Sequence, residues 1–285
     1  MKNLLVPCDF SEPAINAYRF ALDIAANSNG TVFVLNVVEL PTLYDTTVMP
    51  ALYFEKEALN DLMKKAHQDF EKMHKKYKHE DVKVVFKSEF GLVHQMIGHY
   101  TKKYDIDLVI MGSHGASGFR ETFIGSNAER VVRWSSVPVL VLKDFYKGPI
   151  KNIIFPNTLD LDHQEELMRN VKALQNFFDA TLHVVWINTP ANFTSDIITN
   201  QRLNKFAKRF MLVNYTLNVF NHTDQESGII EFAKFMKGDL VAMGTHGRTG
   251  IAHFVHGSVA EDVTNHHTGL VWTYSLIHEK TLAEA

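Results

Sequence analysis

"MGSHGASGFRETFIGSNAER", residues 111–130, and "MGTHGRTGIAHFVHGSVAED", residues 243–262, decide the fold of this chain. Gly112, Gly115, Gly125 and Ser126 of the first stretch recur as Gly244, Gly247, Gly257 and Ser258 in the second. One such frame is no more than a tight strand-to-helix turn requires. Two with the same internal spacing, behind the apolar runs "DLVIM" and "DLVAM", point to a duplicated unit with a task at that turn.

The repeat extends outward from the frames. "KNLLVPCDF" at residues 2–10 parallels "KNIIFPNTL" at 151–159, so that Pro7 aligns with Pro156, and Thr31 further on aligns with Thr181. The reading places one domain over residues 1–145 and a second over 150–277, joined by the short polar linker "KDFYKGPI". Each half alternates short apolar strands with amphipathic helices: LLVP, TVFVLNVV, VKVVF, DLVIM and VPVLVL are the strands of the first. Ser11 stands where it would cap the first helix, whose apolar face is Ala14, Tyr18, Ala21, Leu22 and Ala25. Residues 55–78 and 92–103 give two more helices, and another starts at Ser126. Five strands alternating with helices predict a parallel, doubly wound α/β sheet in each half. Ligands of such sheets gather at the carboxyl ends of the strands, where the glycine frames lie.

A glycine frame between a buried strand and a helix N-terminus suits phosphate. The first helical amides lack intrahelical partners, and the helix dipole adds partial positive charge. The hydroxyls of Ser126 and Ser258 can cap the helix or donate to a phosphate. No Lys-Ser/Thr pair follows the glycines, so this is not a Walker A loop; a dinucleotide fingerprint would follow the first strand, not the fourth.

Composition narrows the class. Lys and Arg total 29 against 32 Asp and Glu in 285 residues, with no basic run, so no general affinity for nucleic acid or anionic membrane is expected. The single cysteine, Cys8, excludes an internal disulfide framework, and no apolar run has the length of a membrane span. These features predict a soluble cytoplasmic protein.

Gly-x2-Gly-x9-Gly-Ser after a strand, with "VPCDFSE" near the N-terminus, resembles the universal stress protein family, and the likeness covers nearly the whole chain as a tandem pair. The resemblance implies two Rossmann-like domains of the adenine nucleotide alpha hydrolase-like type, each with strand order 3-2-1-4-5. It implies ATP or a related adenine nucleotide as ligand, with Mg as its companion ion, and a regulatory or protective role under stress. The base and ribose would be held by Pro7, Asp9 and the main chain of Val37. Ribose and phosphates fall to Met111, Gly112, His114, Gly115, Gly125, Ser126 and Asn127, and in the second copy to Gly244, His246, Gly247, Gly257 and Ser258. Family members pair through their fifth strands, which here implies an intramolecular pseudo-dimer or a homodimer.

The halves are not equal. Asp9 aligns with Thr158, and Asn36 with Trp186, so nucleotide is expected mainly in the first half, with occupancy of the second in doubt. Cys8, beside a carboxylate, is read as a packed residue. His253, His256, His266 and His267 lack the partners of a metal set and are read as solvated. Neither frame offers an evident base, so at most weak ATP hydrolysis is expected. The other readings are a nucleotide-independent interaction module of the same fold and a slow ATP hydrolase.

Overall fold

The computed structural model describes residues 1–39, 51–113, 125–245, 259–267 and 269–276, with 51–58 and 261 by backbone alone. The first half runs β1 (Asn3–Pro7), α1 (Glu12–Ser28), β2 (Thr31–Val38), α2 (Ala51–Tyr77), β3 (Lys83–Phe90), α3 (Val93–Lys103), β4 (Leu108–Gly112), α4 (Ser126–Trp134) and β5 (Val139–Leu142). The second repeats that order. It runs β6 (Asn152–Pro156), α5 (Glu165–Phe178), β7 (Thr181–Asn188), a 3-10 turn at Pro190–Asn192, α6 (Asp196–Arg209), β8 (Tyr215–Asn221), α7 (Gln225–Phe235), β9 (Leu240–Thr245), α8 (Val259–His266) and β10 (Leu270–Ser275).

All the strands join one sheet of order β3-β2-β1-β4-β5-β10-β9-β6-β7-β8. Each half is therefore a parallel 3-2-1-4-5 unit, and the halves meet where β5 and β10 pair antiparallel, with Val141 opposite Val271. The chain is an α/β protein of two tandem Rossmann-like units, and its internal pseudo-dimer runs through the fifth strands. None of the described helices is long and apolar enough to cross a membrane.

Strand alternation builds the layers. Leu4, Val6, Val32 and Val34 pack into one cluster with the apolar face of α1 and with Phe70 and Met73 of α2. Leu5, Leu35, Val109 and Met111 face the other way, onto Ile97 and Tyr100 of α3 and Val131 of α4. Every residue of the predicted α1 face is buried. β3 runs on to Phe90, beyond VKVVF, because Ser88 and Phe90 keep register with Asn36 and Val38.

The repeated Lys-Asn pair has a structural task. Asp107 Oδ2 accepts from the amides of Lys2 (2.5 Å) and Asn3 (3.0 Å), and Asp239 Oδ2 accepts from Lys151 and Asn152, both at 2.8 Å. These clamps hold the start of each first strand, at the end of the sheet away from the glycine frames. The linker is pinned rather than free. Phe145 lies under the Arg19 guanidinium at 3.6 Å, Tyr146 meets Phe20 edge-on, and the Tyr146 hydroxyl reaches Asp239 at 3.2 Å.

Candidate functional site

The carboxyl ends of β1, β2 and β4 and the start of α4 meet at the point where the strand order reverses, with β2 on one side of β1 and β4 on the other. β1 ends on buried Pro7, and Phe10 adopts a left-handed conformation (φ 64°) that turns the chain into α1; Leu159 repeats it at φ 62°. Between them Asp9 is exposed, and its Oδ1 accepts from the Ser11 amide at 3.0 Å and the Ser11 hydroxyl at 2.5 Å. Ser11 occupies the N-cap position, yet its hydroxyl makes no cap bond; it orders Asp9 instead, which corrects the expectation for that side chain.

The Cys8 amide donates to the Leu35 carbonyl at 2.9 Å. Main-chain groups two residues apart on a strand face the same edge, so the amide and carbonyl of Val37 face the β1 edge, past the point where β1 has turned away. Beside them Asn36, buried, donates through Nδ2 to the Cys8 carbonyl at 2.9 Å and accepts from the Ser88 hydroxyl at 3.2 Å. This Asn36–Ser88 bridge fixes the peptide that carries Asp9. A lone amide side chain in the apolar strand TVFVLNVV was the signal for it, read in the sequence only as the partner of Trp186. Cys8 itself is buried, and burial pushes its thiol up to about 12, which leaves it neutral and packed.

The frame glycines divide into two kinds. Gly112 closes β4 against α1, where an added Cβ would lie 2.6 Å from Pro13 Cβ and 2.7 Å from its carbonyl carbon. Its smallness serves the strand-helix contact, and its φ is not positive. Met111 is likewise buried in the core, so only its main chain borders the crevice. Gly125 is the N-cap of α4 with extended geometry (φ −63°, ψ 146°), and its amide donates to the Ser113 carbonyl at 2.7 Å, closing the base of the frame. Ser126 is the first helical residue rather than the cap, and is exposed; Asn127 follows, half-buried. Among the described residues no side chain caps α4. His114, Gly115, His246, Gly247, Gly257 and Ser258 lie outside the described residues.

The second half keeps the main chain and changes the side chains. The Asn157 amide donates to Val185 O at 3.1 Å, as Cys8 does to Leu35, so the main chain of Ile187 is turned as Val37 is. The side-chain turn has moved by one residue: Asn157 Oδ1 accepts from the Leu159 amide at 2.7 Å, and its Nδ2 donates to Gln164 at 2.7 Å. Thr158, in place of Asp9, donates its hydroxyl to Asp160 at 2.9 Å. Trp186, in place of Asn36, carries the Arg202 guanidinium 4.7 Å above its ring, and Arg202 Nη2 donates to the Thr158 carbonyl at 2.8 Å. Gly244 meets only Leu167 Cδ2 at 2.8 Å, the far end of a flexible side chain, and Leu276 beyond it.

The histidines correct one expectation. His266 is exposed and bonded to Glu226 at 2.5 Å, but His267 is buried, with neither ring nitrogen hydrogen-bonded, and burial holds its pKa down at about 4 with help from Lys143 and Lys234. It is not a solvated residue. No group of three metal-ligating side chains occurs among the described residues.

Comparison with known proteins agrees with this architecture. The sequence profile described as the universal stress protein family matches residues 1–143 and 213–272. A universal stress protein of Methanocaldococcus jannaschii is 29% identical over 153 residues, covering 50% of this chain and 94% of its own. One from Synechocystis is 25% identical over 287 residues, covering 92% of this chain and 96% of its own. Among solved structures, a universal stress protein from Archaeoglobus fulgidus superposes with a TM-score of 0.68 at 17% identity, over 96% of this chain and 98% of that one.

Proposed function

The chain belongs to the universal stress protein family, and we propose that it binds ATP or a closely related adenine nucleotide, mainly in its first half, in a regulatory or protective role. The observation that carries this reading is the first crevice itself. An ordered carboxylate, a strand main chain facing past its neighbour's end, and a helix start whose N-cap is a glycine converge at one switch point.

In this reading Asp9 accepts from the ribose or base, beside Pro7, and the Val37 amide and carbonyl pair with the edge of the adenine. Phosphate oxygens lie against the frame of Met111, Gly112, His114, Gly115, Gly125, Ser126 and Asn127. The first amides of α4 lack intrahelical partners, and with the helix dipole they favour negative charge there, and Mg neutralises the remainder. Gly244, His246, Gly247, Gly257 and Ser258 form the second frame, whose base end lacks the carboxylate. Binding at this site holds the start of α4 in one conformation.

Calorimetry with ATP and Mg tests the reading. Asp9→Ala removes a charged acceptor and the bonds to Ser11, and the expected loss is at least about tenfold in affinity, or about 1.4 kcal/mol. Wild-type protein that releases no nucleotide on denaturation and shows no heat of binding at millimolar ATP would end the proposal.

A further inference from the structure

The second crevice holds the chain's own side chains where the first presents a carboxylate. Trp186 replaces Asn36 at the end of β7, and Arg202 of α6 lies over the indole at 4.7 Å while donating to the Thr158 carbonyl at 2.8 Å. This pair is held in place from beneath. Asn188 Oδ1 accepts from the Thr194 amide at 3.0 Å and faces the indole Nε1 at 3.5 Å; Asn188 Nδ2 donates to Asn221 at 2.8 Å. Thr194 and Thr199 are joined at 2.6 Å, which ties the start of α6, and so the helix that carries Arg202, to the end of β7.

The chemistry at the end of β6 is thereby inverted. Adenine's amine and the ribose hydroxyls are donors that the Asp9 carboxylate can meet. A guanidinium has five donors and no acceptor, so the adenine amine would face it without a bond to make and a ribose hydroxyl could only accept from it. Asn157, the nearest alternative acceptor, is already engaged with Leu159 and Gln164.

We propose that Trp186 and Arg202 bar adenine nucleotide from the second crevice, so that each chain carries a single nucleotide, in its first half. The inference rests on the nucleotide reading of the first half, and the two can fail separately. Native mass spectrometry and equilibrium dialysis with ATP and Mg would count nucleotides on wild type, Asp9→Ala and the Trp186→Asn/Arg202→Ala double variant. The expected counts are one, one bound at least about tenfold more weakly, and two, the second binding at least about tenfold more tightly than any second event on wild type.

Two nucleotides on wild type would overturn the inference and leave the first-half reading standing. So would a folded double variant that stays at one, whereas a single nucleotide held as tightly by Asp9→Ala as by wild type would count against both, since it would not depend on the first-half carboxylate. No nucleotide on wild type would overturn both. Arg202→Ala alone, which leaves the indole in place, is the companion variant should the double variant not fold; an unchanged affinity for a second ATP in it counts against the pair.

Discussion

Lys2 and Asn3 are clamped by Asp107, and Lys151 and Asn152 by Asp239, through the same main-chain bonds at nearly the same distances. At the other end of the same two strands the correspondence breaks. Asp9 becomes Thr158, Asn36 becomes Trp186, and the side-chain turn moves by one residue. A duplicated Rossmann-like unit holds the amino ends of its strands constant because they set register and sheet closure. The carboxyl ends are free to change because each touches only what lies over it.

The sharpest difference between the halves is titratable. At the foot of α4, Ser135 bonds through Oγ to the Val137 carbonyl at 2.7 Å; the aligned residue after α8 is His267, buried beside Lys143 and Lys234. Its pKa of about 4 in the fold lies below the ordinary 6.5, so the folded protein favours the neutral ring. Above pH 6.5 stability is undiminished. As pH falls from 6.5 to 4 the unfolded chain takes up a proton that the folded chain refuses, and stability drops by about 3 kcal/mol by pH 4. Thermal melting across that window should slope more steeply for wild type than for His267→Ser, which carries the first half's residue. Identical slopes would mean that the buried ring is not what makes the second half acid-sensitive.

The first frame glycines give the next largest contrast. In Gly112→Ala the new methyl meets the Pro13 main chain, which is fixed at the start of α1, and the expected cost is about 2–3 kcal/mol, the upper part of the overpacking range. In Gly244→Ala it meets the end of the Leu167 side chain, which can turn aside, and the cost should be under about 1 kcal/mol. Urea denaturation of the two variants would separate them. Equal losses would mean that α5 is held against β9 as rigidly as α1 is against β4.

Much of this was legible in the residues because the duplication supplied a control. Element order and the replacement of Asp9 and Asn36 in the second half followed from aligning one half on the other, and the buried face of α1 from the helical spacing of its apolar residues. The tasks of single side chains did not, because they depend on partners distant in sequence. Ser11 reads as a helix cap until Asp9 is seen to take its hydroxyl, and Gly112 reads as a loop glycine until Pro13 is found against it. His267 was read as solvated because no metal-ligating partners accompany it; only the packing of α8 on α7 and β10 buries it and leaves His266 exposed. Arg202 carried no signal at all, since nothing in its sequence neighbourhood points to Trp186.

The seam between the halves sets the smallest effect. Lys143 follows β5 and donates to the Asn265 carbonyl in the last turn of α8, while Ser275 ends β10 and donates to the Arg133 carbonyl in the last turn of α4 at 3.1 Å. The four positions correspond under the repeat, so each fifth strand satisfies a carbonyl at the foot of the opposite half's frame helix. The two bonds differ in kind. An ammonium at a helix C-terminus makes a charge-assisted bond and meets the dipole favourably, whereas the serine bond is neutral. Lys143→Met should therefore cost about 1–2 kcal/mol and Ser275→Ala about 0.5–1 kcal/mol in urea denaturation. Because the bonds sit on different helices, the double variant should show the sum of the two losses. A clear departure from additivity would mean that α4 and α8 are coupled through the β5–β10 seam, and that the halves differ less in behaviour than in their side chains.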